Sequence, residues 1–443
     1  MKNVTVVGAG LVGSLWSLYL AKRGYSVDVY ERRPDPRKSG RAEGRSINLA
    51  LSDRGWAALE QVGMAEAVRK EAIPMYRRVM HDVAGNLSFQ PYGKENQAIY
   101  SVSRGGLNRL LVEAAESHPE VRVHFGHACV DADVEAGTAT FSADGETITS
   151  TGTAVFATDG AFSKVRAQFQ RRDRFNYQQE YIEHGYKELH IPPGQNGSHQ
   201  IEREALHIWP RGKHMLIGLP NPDGSFTCTL FFPMEGPTSF DALQTPEEAE
   251  KFFQEVFADA LALMPDFQDQ WAKNPVASLV IIRCSPWNVG GKTVLFGDAS
   301  HAIVPFYGQG MNSGFEDCRI FDALLEAHNG NFETAFPAFS DERKPHADAI
   351  AELAMRNFVE MRDLTAQPEF LLQKKIEAAF SAKYPGRWMP LYSQVTFSHI
   401  PYAEALAAGK RQEAIMQTIM ARPDIEATWN SDEVMEAILA QLG

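Results

Sequence analysis

VTVVGAGLVGSLWSLYLAKRG, from Val4 to Gly24, decides the fold of this chain. A short β-branched run ends in glycines, and a helical pattern follows that closes on Lys22, Arg23 and Gly24. Near-continuous apolar character predicts a buried parallel strand over Lys2–Val7. Gly8 to Gly13 read as the turn, Leu15–Arg23 as a helix and Tyr25–Tyr30 as a second strand, ended by Glu31. This is a βαβ unit of about 30 residues with G-x-G-x-x-G where that pattern has a mechanism. Gly8 permits the tight turn, Gly10 lets the backbone approach a pyrophosphate, and Gly13 lets helix and strand pack closely. The helix N-terminus offers free N–H groups and partial positive charge to that pyrophosphate. Glu31 lies 18 residues past Gly13, where a carboxylate can accept from both ribose hydroxyls. A dinucleotide site is expected. The uncharged run from Val4 to Ala21 is about as long as a membrane span, but its glycines and its change of period favour strand, turn and helix.

The bulk composition narrows the classes. At 443 residues and 44% hydrophobic, the chain can bury a large core, and its length suggests about two to three domains. A formal net charge of −13 repels phosphate backbones, so no nucleic-acid partner is expected. Cys129, Cys228, Cys284 and Cys318 are widely spaced and form no CxxC. They read as reduced thiols of a cytosolic protein, with no metal site.

Further along, RRPDPRKSGRAEGR (Arg32–Arg45) reads as a polar loop, and SINLALSDRGWAALEQVG as strand then helix. LNRLLVEAAE (Leu107–Glu116) is helical, VRVHFG (Val121–Gly126) a strand, and Asp144-Gly145 a hairpin turn. From about His184 to Met234 the alternation predicts antiparallel sheet. Thr245–Leu263 reads as helix, Lys292–Phe296 as a buried strand, Phe315–Ala327 as helix, and the last hundred residues as mainly helical.

Two later stretches specify the dinucleotide. FATDGAFSKVR (Phe156–Arg166) sets Asp159-Gly160 after an apolar strand, followed by Ser163 and Arg166. LFGDASHAIVPFYGQGMN (Leu295–Asn312) sets Gly297-Asp298 at the end of another. Asp298 can accept from a ribityl hydroxyl, while Pro305, Gly308 and Gly310 keep the backbone close to a flat ring ahead of a helix starting near Asn312. In this order and spacing the three stretches resemble the FAD-contacting motifs of the single-component (class A) flavin aromatic hydroxylases. ERRPDPR (Glu31–Arg37), GRSINLALSDRG (Gly44–Gly55), QPYG (Gln90–Gly93), HGYKEL (His184–Leu189), LHIWPRG (Leu206–Gly212) and PLYSQVTFSHIPYAEA (Pro390–Ala405) resemble, more narrowly, the kynurenine 3-monooxygenase family. That likeness runs from Val4 to about Ala408.

The resemblance implies an α/β fold: a Rossmann-type FAD-binding domain, an inserted antiparallel-sheet substrate domain and a C-terminal helical domain. The expected boundaries are 1–75, 97–180 and 285–330 for the first, 76–96 and 181–284 for the second, and 331–443 for the third. It implies FAD as cofactor, NADPH as cosubstrate, and hydroxylation of L-kynurenine by O2 to 3-hydroxykynurenine through a flavin C4a-hydroperoxide. Arg78 and Tyr92 match a carboxylate clamp, with Asn357 and Tyr392 near the same end. Leu219, Thr229 and Phe231 match an apolar wall around the substrate ring. Pro305, Phe306 and Gln309 match the loop over the flavin ring, and Met361 lies one helical turn after Asn357. For the cofactor, Leu11, Val12, Arg32, Arg104 and Met311 join Gly8, Gly10, Gly13, Glu31, Asp159, Gly297, Asp298, Pro305, Gly308, Gly310 and Asn312.

From the residues alone, Arg78 next to Arg77 reads rather as a solvated charge, and Tyr92 and Tyr392 as half-buried core aromatics. Tyr307 stands where some relatives carry histidine and receives no catalytic role; His301 reads as structural. No catalytic acid–base group is assigned. Another aromatic carboxylic acid as substrate stays open, as does a non-catalytic flavoprotein. The absence of WxWxIP disfavours a halogenase. The C-terminal stretch is regularly interrupted by charge, so a soluble, cytoplasmic protein without a membrane anchor is expected. Oligomeric state, a homodimer included, stays open.

Overall fold

The computed structural model describes residues 2–38, 47–93, 96–361 and 367–442. Part of the expected loop Arg32–Arg45, and the first three residues of the 44–55 motif, lie outside them. The first strand is Asn3–Val7 and the second Ser26–Glu31. They sit in a six-stranded sheet whose order runs Asn288–Val289, Thr293–Leu295, Val155–Ala157, Asn3–Val7, Ser26–Glu31, Val121–Phe125. Every pair is parallel except the first. Phe156, Phe296, Trp16 and Phe321 pack as rings on this sheet with exposures of 0%.

The first helix is Leu11–Lys22, four residues earlier than the spacing predicts. Gly10 is its cap, in extended backbone, so Gly8–Gly10 alone make the turn. Gly13 therefore lies in the first helical turn. A Cβ there would meet the Gly8 carbonyl oxygen at 2.0 Å and Thr158 Oγ1 at 2.4 Å, so this glycine sets the helix-to-sheet distance. The helix expected over Thr245–Leu263 breaks at Phe257, giving Pro246–Val256 and Ala258–Leu261. The Asp144-Gly145 turn has φ of 50° and 86°, matching the primed hairpin geometry.

The second sheet has seven strands in the order Val276–Ser285, Asn176–Ile191, Phe226–Pro233, Met215–Pro220, Ala205–Pro210, Arg77–His81, Leu87–Pro91. It is antiparallel except between Ala205–Pro210 and Arg77–His81, which run parallel. Alternation divides its residues between two faces. One face carries Leu189, Ile191, Trp209, Leu216, Cys228, Leu230 and Phe232 into a core closed by Phe253, Phe257, Phe267 and Trp271 of the following helices. The other face carries Met80, Ile208, Met215 and Phe231 toward the loop at Val304–Tyr307 and the helix Phe332–Val359. No helix among the described residues is long and apolar enough to cross a membrane.

A buried ionic network joins these parts. The helix Gly310–Ala327 carries Glu316 and Asp317, 2% and 0% exposed. Arg343 donates from Nη1 to Glu316 Oε2 at 3.0 Å and from Nε to Asp317 Oδ1 at 2.8 Å. Arg54 donates from Nη1 to the other Glu316 oxygen at 2.6 Å. Asp317 Oδ2 accepts from the Gly297 backbone N–H at 3.2 Å and lies 2.6 Å from His301 Nε2.

Burial alone would raise the Asp317 carboxyl, but His301 and Arg343 bring it below its ordinary value. Its contribution to stability is then complete above the unfolded value of about 3.9 and is lost as pH falls through the folded value. Arg343→Met strands both carboxylates short of their shared partner. The expected cost is roughly 3–5 kcal/mol, seen as a lower urea midpoint and as acid unfolding at a higher pH than in the parent. An unchanged midpoint would show that the network is dispensable.

Candidate active site

At the nucleotide end, the geometry fits FAD. Gly8 has φ of +100°, and nothing lies within 4 Å of a Cβ built on Gly10, which leaves room for a ligand to approach the backbone. Leu11 and Val12 follow, half-buried, at the start of the helix. Glu31 Oε2 accepts from the Ala9 N–H at 2.9 Å, and Oε1 accepts from Arg33 N at 2.9 Å and Nε at 2.8 Å. Burial raises the Glu31 carboxyl, but Arg33 outweighs it and the pKa is lowered. The carboxylate thus already braces the turn; Arg32 beside it is exposed.

The second and third motifs meet through Arg166, 2% exposed, which donates to the Ala299 carbonyl at 2.8 Å and to that of Ala161 at 2.5 Å. Asp159 Oδ2 accepts from the N–H groups of Lys164 and Val165, while Oδ1 is buried and has no well-formed hydrogen bond among the described residues. Burial raises this carboxyl. Gly297, at φ 54°, precedes the short helix Asp298–His301. The Asp298 side chain is exposed there. An open glycine turn, a buried carboxylate oxygen and an exposed acid on three adjoining strand ends suit a nucleotide rich in N–H and hydroxyl donors. Arg104 is exposed at the start of helix Arg104–Glu116, close enough to Glu188 and Tyr186 to act on both electrostatically.

The second sheet builds the other wall. Register places Arg78 beside Leu206 and Met80 beside Ile208, then Ile208 beside Ile217, Ile217 beside Thr229 and Thr229 beside Glu188. Leu219, Thr229 and Phe231 therefore share one face with Arg78. Arg77, one residue earlier, points the other way, exposed and paired with Glu202 at 2.7 Å. The guanidinium of Arg78 lies 5.1 Å from the Tyr92 ring centroid and 4.7 Å from that of Tyr392. Tyr92, Tyr392 and Tyr307 form one stack, with centroids 5.4 and 5.5 Å apart. Arg78 Nε and the Tyr92 hydroxyl are buried atoms without a well-formed hydrogen bond among the described residues, although Tyr92 interacts at longer range with both Arg78 and Tyr392. Burial works against the Arg78 cation, but Tyr92, Tyr392 and Glu360 raise its pKa above the ordinary value. Burial likewise pushes the Tyr92 hydroxyl up, keeping it a neutral donor. A half-buried cation and a buried hydroxyl side by side, neither holding a well-formed hydrogen bond at these atoms, are the makings of a site for an anion.

The loop between the two walls is stitched from behind. Asn357 Nδ2 donates to the Phe306 carbonyl at 2.6 Å and lies 3.2 Å from Met361 Sδ. Gln309, 1% exposed, accepts at Oε1 from the Tyr402 hydroxyl at 3.0 Å. Asn312 accepts from Ser52 N and donates to the carbonyls of Ala50 and Gly308. These three amides, expected to face ligands, spend hydrogen bonds on the protein itself. Beside them the loop offers backbone: Gly308 at φ 67°, and the N–H groups of Gly310, Met311 and Asn312 at the start of helix Gly310–Ala327. Pro305 is exposed, and Phe306 stacks 4.0 Å from Phe358 and 4.9 Å from Phe231.

Sequence reasoning left out several residues that the fold brings here. Tyr307 completes the tyrosine stack, its hydroxyl pushed up by burial. Glu188 sits on the wall facing Thr229, its carboxyl raised by burial; its place two residues from Tyr186 on a strand was the available signal. His301 is structural as expected, held by Asp317 and stacked on Trp287 at 5.1 Å.

The FAD binding domain family matches residues 1–354. A kynurenine 3-monooxygenase of Flavobacterium johnsoniae is 48% identical over 99% of this chain and 98% of its own. One of Myxococcus xanthus is 49% identical over 94% of this chain and 90% of its own. Among solved structures, the tetrameric form of 2-methyl-3-hydroxypyridine-5-carboxylic acid oxygenase superposes with a TM-score of 0.68 at 19% identity, covering 83% of this chain and 94% of that one. With a family match over most of its length and relatives of this identity along nearly all of it, the chain belongs to the kynurenine 3-monooxygenase family of FAD-binding proteins.

Proposed function

We propose that Arg78, Tyr92 and Tyr392 receive the carboxylate of L-kynurenine, and that this contact sets the aromatic ring of the substrate against Leu219, Thr229 and Phe231. The chain is a FAD-dependent monooxygenase that hydroxylates L-kynurenine to 3-hydroxykynurenine with NADPH and O2. The observation that supports the substrate reading is the buried Arg78 Nε beside the Tyr92 hydroxyl, neither with a well-formed hydrogen bond among the described residues.

Gly8, Gly10 and Gly13 would hold the pyrophosphate of FAD, Glu31 its ribose and Asp298 its ribityl chain, with the loop Pro305–Gly310 along the ring. Bound FAD supplies electron transfer from NADPH and activation of O2. The substrate's own amino group activates the ring positions ortho and para to it, so the protein needs no acid–base triad. Its work is orientation and exclusion of water. The planar guanidinium of Arg78 fixes the carboxylate in direction as well as place. Phe231, Phe306 and Phe358 close the far side with apolar surface. The helix N-terminus at Gly310–Asn312 would offer partial positive charge to a flavin ring held there and so favour its anionic, reduced form.

The FAD-loaded protein should oxidise NADPH faster when L-kynurenine is added, with 3-hydroxykynurenine formed in step. Absence of stimulation with flavin bound would reject kynurenine as substrate. Arg78→Met removes a charge-assisted contact of about 1.5–3 kcal/mol. It should raise KM for L-kynurenine by roughly 10- to 150-fold while leaving flavin content intact. An unaltered KM would place the carboxylate elsewhere.

A further inference from the structure

Arg54 is the second residue of helix Asp53–Gln61 and is 1% exposed. It faces neither the sheet wall nor the nucleotide turn, yet it is bonded to both sides of the site. Toward the cofactor side, Nη1 donates to Glu316, and Glu316 shares Arg343 with Asp317, which holds the Gly297 N–H and His301. Toward the substrate side, Nε donates to the Val395 carbonyl at 2.9 Å, and Nη2 to those of Gln394 at 3.5 Å and of Ile400. Gln394 and Val395 belong to the last turn of helix Leu391–Thr396. Carbonyls in such a turn have no partner within their own helix and favour a cation. Tyr392, near the start of the same helix, is the middle ring of the tyrosine stack under Arg78. The Arg54 guanidinium also lies 4.0 Å from the ring centroid of Tyr402, whose hydroxyl donates to Gln309.

We infer that Arg54 is a positioning residue for the hydroxylation: it caps helix Leu391–Thr396 and locks it to helix Gly310–Ala327, and so sets Tyr392 at a fixed distance from the flavin-side turn. The inference rests on the functional reading above. Only a planar, multi-donor group can serve Glu316 and the carbonyl cluster together. A lysine keeps the charge but is a single ammonium, unable to reach both. Without the cap, helix Leu391–Thr396 loosens, the substrate ring loses its lateral register, and reducing equivalents leave as hydrogen peroxide.

The test uses the FAD-loaded full chain as parent, Arg54→Lys, Arg54→Met, Tyr392→Ala and the double variant Arg54→Lys/Tyr392→Ala. Arg54→Lys should keep its flavin content and raise KM for L-kynurenine by about tenfold, as for loss of a charge-assisted bond. It should also raise peroxide formed per NADPH, while the maximal rate of NADPH oxidation changes less than KM. Combined with Tyr392→Ala it should add little, because the two act through one contact. Amide hydrogen exchange of residues 391–396 should quicken in Arg54→Lys; this readout does not depend on the substrate's identity. Where Arg54→Met does not fold, the lysine variant carries the test. Parent-like KM, coupling and exchange in Arg54→Lys would overturn the inference, as would full additivity with Tyr392→Ala. A parent that does not turn over L-kynurenine, with exchange quickened in Arg54→Lys, would reject the functional reading and leave Arg54 a helix anchor only.

Discussion

Two acids side by side, Glu316 and Asp317, lie buried in one helix, and the rest of the structure is arranged to keep them charged. Neighbouring carboxylates with no water around them cannot both ionise unless cations are brought to them. Arg54, Arg343 and His301 are those cations or donors, drawn from segments 262, 27 and 16 residues away from their partners. A network of this kind contributes little net stability compared with apolar packing. Its value is specificity of arrangement: the helix Gly310–Ala327, the glycine turn at Gly297 and the C-terminal helices have one mutual position in which every charge is matched. The glycine turn at Gly297 and the helix that carries Tyr392 are thereby tied to the same buried acids.

Against that frame, the seven-stranded sheet acts as a partition. Its rear face is saturated with aromatic and aliphatic contacts, and its front face holds both apolar residues and Arg78. The contrast between the two arginines at 77 and 78 is the clearest expression of this. One is exposed and paired with Glu202, where an ion pair contributes little. The other is turned inward by strand alternation into a stack of tyrosines, where its Nε has no well-formed hydrogen bond among the described residues. Strand alternation thus separates two adjacent charges into one surface group and one turned among aromatic rings.

Much of this was legible in the linear order of residues. The βαβ unit, its glycines and Glu31 announce themselves through local spacing, because the physics they serve is local. The shared face of Thr229 and Phe231 follows from a period of two. Arg78 was legible only through family likeness; its own neighbourhood in sequence suggests a solvated charge. Helix Leu11–Lys22 begins four residues before the start read from the sequence, because Gly13, read there as turn, packs as part of the helix. Gln309, Asn312 and Asn357 look like ligand contacts by position, and nothing local in the sequence shows that their side chains also bond the Tyr402 hydroxyl, the backbone at Ala50, Ser52 and Gly308, and the Phe306 carbonyl. Arg54 and the acids at 316 and 317 gave no signal at all. Their partners lie hundreds of residues away or on another helix, and no periodicity reports a contact of that range.

The most direct measurement is a crystal structure of the FAD-loaded protein with L-kynurenine bound. The account requires a carboxylate oxygen within hydrogen-bond distance of Arg78 Nε or the Tyr92 hydroxyl, and the substrate ring against Leu219, Thr229 and Phe231. A carboxylate bound elsewhere, with Arg78 Nε and the Tyr92 hydroxyl still unmatched, would contradict it.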